Sequence, residues 1–218
     1  MGKALLIAGS DGSFGAGLVR DFLLRGDRVA AAPMSRTAGS PLEADPPGEL
    51  RTLSWNPRSP LSARNLVLET LRAFDGIDEA VMVYAPGGEE GAFHELSSAE
   101  IEGAVDGAIK GYAYFLREIL GLFQKRGAGV LTFVRYDGGV TALPPLQSAA
   151  GGAFRFLAES LFAQYRNEPV VIRGFYSALP ESEDFRRYIL SFADRPDKTA
   201  GKWLKFSGLT GLLSFGRK

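Results

Sequence analysis

The chain has no cysteine, and that one absence removes disulfides, thiolate nucleophiles and cysteine metal sites together. It has a single histidine, His94, which cannot build a metal cluster and which sits in a polar loop where a surface position is expected. It has no excess of either charge. Its 25 Lys and Arg face 25 Asp and Glu, so no global field recruits nucleic acid, an anionic membrane or a polyanionic substrate. No apolar run approaches the roughly 20 residues of a membrane span, and Lys3 leads straight into the short stretch Ala4 to Ala8 without a signal-like apolar region. A soluble, cytoplasmic protein is the expectation.

What is present is apolar material for one sizeable core, 45% of 218 residues, and a single domain over 1–218 is expected. Ala4 to Ala8 reads as a buried strand. After Gly9, Gly12 and Gly15 comes a helix whose Phe14, Leu18 and Phe22 form one i, i+4 row and whose Val19 and Leu23 form the next. A second strand, Arg28 to Ala32, enters a Pro-, Gly- and Ser-rich loop at 33–48. Further strands are expected at Arg51 to Trp55, Ala80 to Ala85, Val130 to Val134 and Val170 to Tyr176. Helices are expected from Pro60 to Phe74, from Ser97 or Ser98 to about residue 125, and from Ser148 to Tyr165. The region 180–218 reads as helical, with patches at 185–192 and 199–206, and a last apolar stretch, Leu212 to Phe215, of either type. Strands alternating with helices of this length predict an α/β fold, a Rossmann-type doubly wound parallel sheet with helices on both faces.

Residues 8–15 read AGSDGSFG and fall where a strand turns into a helix. Glycines there permit a tight turn and let backbone N–H groups and the helix N-terminus approach a pyrophosphate. The same spacing also suits a turn that binds nothing.

With these glycines and the segments that follow, the sequence resembles the short-chain dehydrogenase/reductase family over residues 3–178. The glycine spacing is similar to that of the family's extended and atypical members. Asp78 to Gly87, DEAVMVYAPG, falls at the family's fourth strand and N-N-A-G motif, and 105–134, ending in RGAGVLTFV, resembles its long interface helix and fifth strand. The resemblance implies an NAD(P)(H)-binding fold. Gly9, Ser10, Gly12, Ser13, Phe14 and Gly15 would surround the pyrophosphate, Asn56 would meet the adenine edge in place of the usual aspartate, and Ala85, Pro86 and Gly87 would line the cofactor cleft. No acidic residue ends the second strand to take a ribose 2′-hydroxyl. Ser35 and Arg36 follow it instead, a hydroxyl and a charged fork suited to the 2′-phosphate of NADP, or two solvated loop residues.

In the family a tyrosine transfers the proton, a lysine four residues on lowers its pKa, and a serine orients the substrate oxygen. The resemblance puts these roles at Gln147, Gly151 and near Tyr136, the helix asparagine of N-x-x-G at Ala108, and the P-G after the sixth strand at Ser177-Ala178. No Tyr-x-x-x-Lys occurs in any register. Tyr136 is the candidate substitute acid, with Lys110 or Arg135 expected nearby to depress its pKa. The competing reading makes Tyr136, Tyr84 and Tyr112 core or pocket lining. Gly151-Gly152 inside a helix costs about 1 kcal/mol per glycine, offset either by close approach of another element or by a pocket widened where a lysine lay.

The family's interface helices correspond to 98–125 and 148–165, which carry Phe115, Phe123, Phe154, Phe162 and Tyr165. A homodimer through them is expected. Three functions stay open. One is an oxidoreductase with displaced acid and base residues, acting on a small carbonyl or alcohol with NADP or NAD. Another is a catalytically silent dinucleotide sensor or partner-binding scaffold. The last is loss of nucleotide binding altogether, because Asp11 brings a carboxylate to the cradle.

Overall fold

The computed structural model describes residues 2–34, 46–86, 91–140 and 142–208. Five consecutive apolar residues form β1 (Ala4–Ala8), every one of them buried, because helices cover both faces of the sheet. The glycine turn then opens α1 (Gly12–Leu24), which buries Phe14, Leu18, Val19, Phe22 and Leu23 on the stripe the i, i+4 rows predict. β2 (Arg28–Ala32), β3 (Leu50–Thr52), α2 (Pro60–Phe74) and β4 (Glu79–Tyr84) follow. Ser59 caps α2 by accepting a hydrogen bond from Ser62 N, and Pro60 sits in the first turn, where its missing N–H costs nothing.

The expected long helix is α3 (Ser98–Val105), a π-helical turn (Asp106–Gly111) and α4 (Tyr112–Arg126) in continuous succession. It opens on a capping box between Ser97 and Glu100 and closes on Gly127 at φ 69°. β5 (Gly129–Tyr136), α5 (Pro145–Gln164), β6 (Val170–Ser177), α6 (Ser182–Ser191) and β7 (Trp203–Lys205) complete the described chain. The strands form one parallel sheet in the order β3-β2-β1-β4-β5-β6-β7. One core layer packs Trp55, Tyr112, Phe115, Phe133 and Phe154 under α2, α4 and α5, and the other packs Phe14, Phe22, Phe175 and Phe185 under α1 and α6. Among the described residues no helix is long and apolar enough to cross a membrane.

Three expectations change. The patch at 199–206 is a 3-10 turn (Pro196–Thr199) and then strand β7, not helix. Trp203 pairs with Gly174 across the ladder, and a Cβ at Gly174 would lie 2.4 Å from the Trp203 ring, so a tertiary fit overrides the local pattern. α5 starts at Pro145, three residues early, a helix-start proline read as loop. Phe115, Phe123, Phe154 and Phe162, expected as dimer contacts, are buried in the monomer core, while Phe156 is 67% exposed on α5. The stretch 212–215 and most of the loop at 33–48 lie outside the described residues.

A buried charge network crosses three strands. Arg173 (β6) donates to Glu79 Oε1 (β4) at 2.7 Å and to Thr132 Oγ1 (β5) at 2.8 Å, and Thr132 donates on to Glu79 at 2.5 Å. Arg173 also reaches the Phe192 carbonyl at 2.8 Å, tying the segment after α6 to the sheet. Both charged side chains are 1% exposed. Removing one partner of such a pair is far costlier than removing both. Arg173→Met is therefore expected to lose about 3–5 kcal/mol in urea unfolding, and Glu79→Leu added to it to recover at least about 1 kcal/mol. A double variant no more stable than Arg173→Met contradicts this account of the network.

Candidate functional site

At the carboxyl ends of the strands the connections from β1 and β4 diverge, one toward α1 and the other toward α3. This switch point is where an open α/β sheet offers a crevice. Three glycines shape its floor, each for a different reason. Gly9 has φ +76°, and a Cβ there would lie 2.4 Å from the Val83 carbonyl oxygen at the end of β4. Gly15 sits on α1 against Ser10, where a Cβ would come within 2.6 Å of backbone. Gly12 has φ +67° with nothing within 4 Å of a built Cβ. Gly9 thus makes the turn, Gly15 brings the helix onto the strand, and Gly12 presents bare backbone to open space. Ser13 is exposed in the first turn of α1, Ser10 is buried beneath it, and Phe14 turns into the core.

The carboxylate of Asp11 turns toward β2. Its Oδ2 accepts a hydrogen bond from Met34 N at 2.7 Å, and its side chain makes no capping bond to α1, whose first turn carries no acidic residue. The expected conflict between this carboxylate and a pyrophosphate at Gly12 is relieved by that direction. The glycine turn therefore fits a dinucleotide's pyrophosphate, with backbone N–H groups of Gly12, Ser13 and Phe14 at the positive end of α1.

On the far side of the crevice Tyr112 of α4 donates to Val83 O at 2.7 Å. Burial pushes its phenol far above the usual range, which makes it a pin between helix and strand. Ala85 and Pro86 are half-buried just beyond β4. Asn56 is exposed after β3, where its side-chain oxygen accepts from Arg58 N at 3.1 Å and holds the turn into α2. Ser35, Arg36 and Gly87 lie outside the described residues.

Residues 135 and 136 project to opposite faces of the sheet, as alternate strand positions must. Tyr136 faces α1 and α6, with its ring stacked on Phe14 at 4.3 Å and its hydroxyl donating to the Pro180 carbonyl at 2.8 Å. Partial burial raises its pKa, the reverse of the depression expected. Neither cation expected beside it serves there: Lys110 pairs with Asp106 at 2.5 Å, and Arg135 lies on the other face. Arg135 points to α5, where it holds Asp137 through two bonds of 2.9 and 3.0 Å and reaches the Gly151 carbonyl at 3.3 Å.

At Gly151 a Cβ would lie 3.1 Å from the Tyr84 ring, a tight approach, and 3.5 Å from the Arg135 guanidinium carbon, an ordinary contact, so α5 packs closely on Tyr84 at this position. Tyr84, at the end of β4, donates to the Gln147 carbonyl at 2.5 Å. A cavity of about 370 Å³ opens beside it, lined by Tyr84, Pro86, Glu100, Ala108, Gln147 and Ala150. Sequence reading named Tyr84 only as lining and missed its approach to α5. A larger cavity of about 710 Å³ lies between the end of α5, the start of β6 and β7, away from the glycine turn. His94 is exposed, and among the described residues no cluster of metal-ligating side chains occurs.

Gly152 has nothing within 4 Å of a built Cβ, and nothing in the structure explains it. Gly152→Ala is expected to raise stability by about 0.5–1 kcal/mol. Gly151→Lys is expected to lower it by about 1–3 kcal/mol, the cost of overpacking. Thermal unfolding of the two variants checks the pair, and a Gly151→Lys protein as stable as the parent contradicts the packing described here.

The sequence matches no protein-family model and no curated protein. Its fold has clear counterparts among solved structures. A 3-ketoacyl-ACP reductase from Sinorhizobium meliloti 1021 is 17% identical with TM-score 0.72, covering 96% of this chain and 99% of its own. Levodione reductase is 14% identical with TM-score 0.76, covering 96% and 98%. L-Sorbose reductase from Gluconobacter frateurii, complexed with NADPH and L-sorbose, is 12% identical with TM-score 0.75, covering 95% and 96%. Across nearly its whole length the chain has the doubly wound Rossmann-type fold of these reductases.

Proposed function

We propose that the chain is a divergent member of the short-chain dehydrogenase/reductase family that binds a nicotinamide dinucleotide over the glycine turn. The observation that carries this reading is the division of labour among Gly9, Gly12 and Gly15, in which the outward glycine alone has no protein atom to avoid. The φ of +67° suits glycine at residue 12 with or without a ligand, and the bare backbone it leaves facing open space at the start of α1 is what a pyrophosphate needs. The fold shared with reductases, one of them complexed with NADPH, supports the same reading.

The reaction that fits is hydride exchange with a small carbonyl or alcohol. A bound nicotinamide supplies or accepts the hydride. The chain's own part is to hold a proton near the substrate oxygen, and Tyr84 is the phenol that lines the cavity at the end of β4. Arg135 lies across Gly151 from it as the nearby cation. Tyr136, stacked on Phe14 and bonded to Pro180, serves the fold on this reading. A second reading, a silent dinucleotide binder, is favoured by one observation: the Arg135 charge is already met in full by Asp137, which weakens its pull on a phenolate.

Calorimetric titration with NAD, NADH, NADP and NADPH tests the proposal. Saturable binding of at least one nucleotide is expected, and Gly12→Val, which puts a branched side chain into the open space, is expected to weaken it at least about tenfold, the factor that 1.4 kcal/mol represents. Failure of all four to bind refutes the proposal. Binding without turnover over a panel of aldehydes and ketones selects the silent reading.

A further inference from the structure

On the α5 face of the sheet, near the carboxyl ends of β5 and β6, a third cavity of about 290 Å³ is lined by Arg135, Arg155, Tyr176 and Trp203. It shares no lining residue with the cavity beside Tyr84. Its walls are two guanidinium groups, a phenol and an indole, with no carboxylate among them. Asp137 holds Arg135 through two bonds and also takes the Tyr176 hydroxyl, and the Arg135 guanidinium lies 5.5 Å from the centre of the Tyr176 ring. This half of the cavity is fixed and its charge is met. The other half is not. Arg155 meets Glu159 through Nε alone, at 2.8 Å, so its Nη1 and Nη2 make no hydrogen bond among the described residues. Trp203 Nε1 is buried and has no partner either. A buried N–H without an acceptor costs the full desolvation of that group, so a donor left in this state calls for a bound acceptor.

We propose that this cavity binds a planar aromatic carboxylate, its two oxygens accepting from Arg155 and from Trp203 Nε1–H and its ring lying against Tyr176. The inference is independent of the glycine turn and of any dinucleotide. The Nη1–Nη2 edge of a guanidinium matches the two oxygens of a carboxylate. The phenol and indole rings offer flat apolar surfaces, which an aromatic ring complements. The volume lies at the small end of ligand pockets, so the occupant is a small acid. A phosphate has no flat face, and its second charge is opposed by Asp137 and Glu159, the carboxylates bonded to the two lining arginines.

The test is calorimetric titration of the full chain with benzoate, with inorganic phosphate as the comparison. Benzoate is expected to bind saturably with a Kd of about 1 mM or tighter, a range open to so small a ligand. Phosphate is expected to bind at least about tenfold more weakly. Arg155→Gln changes a side chain that is 57% exposed, and Trp203→Phe keeps a ring but removes the N–H. Each is expected to weaken benzoate about tenfold, the usual loss for a hydrogen bond to a charged group. Glu159→Gln is expected to tighten binding, because it removes a carboxylate that competes for the same guanidinium. In isotope-labelled protein the indole N–H signal of Trp203 is expected to move downfield as benzoate saturates. That of Trp55, also unpartnered but enclosed in the core, is expected to stay in place. No saturable benzoate binding, benzoate affinity unchanged in Arg155→Gln, or phosphate bound as tightly as benzoate overturns the inference. Should Trp203→Phe fail to fold, Arg155→Gln and the Trp203 signal still decide.

Discussion

The connection from β1 to α1 has room for no side chain at residue 9 and none at residue 15. At Gly9 the backbone passes under the Val83 carbonyl, and at Gly15 the helix rests on Ser10. Those two approaches set where α1 begins, and so where its unpaired N–H groups point. They also bring the β1 connection alongside that of β2, which is what allows Asp11 to reach Met34 N. The direction of the α1 N-terminus and the place of the carboxylate beside it are thus consequences of one steric constraint.

The two ends of the sheet are built differently. Toward the amino ends of the strands, carboxylates fasten backbone: Asp27 accepts from Lys3 N at 2.9 Å, Asp78 accepts from Ala4 N at 2.9 Å, and Glu79 joins the network of Arg173. Toward the carboxyl ends Asp11 accepts from Met34 N beside the glycine turn, and Glu100, on the cavity next to Tyr84, closes the capping box with Ser97. The π-helical turn at Asp106–Gly111 also lies at this end of the sheet. Such turns cluster at functional sites, and this one places Ala108 on the cavity wall.

Much of the fold was legible because parallel strands buried on both faces leave long apolar runs, and the glycine turn was legible because its spacing has a steric cause. What stayed hidden was direction. Asp11 in a glycine loop reads as a charge against a pyrophosphate until its bond to Met34 shows it turned aside. Gly151 reads equally as a lost lysine or a close contact, and only the position of the Tyr84 ring shows the close contact. Tyr136 carried a signal that could have been used: neighbours on a strand face opposite ways, so Arg135 could not have stood beside it. β7 was unreadable because the reason for it, the Trp203 ring over Gly174, lies 29 positions away.

The most direct measurement of the central claim is amide chemical-shift mapping by NMR as NAD is added to the labelled protein. The account predicts that the largest shifts fall on Gly12, Ser13 and Phe14 at the start of α1 and on Met34, with His94 and the residues around Arg166 and Gly201 unmoved. Shifts confined to the cavity between α5 and β7, or none at saturating nucleotide, would contradict it.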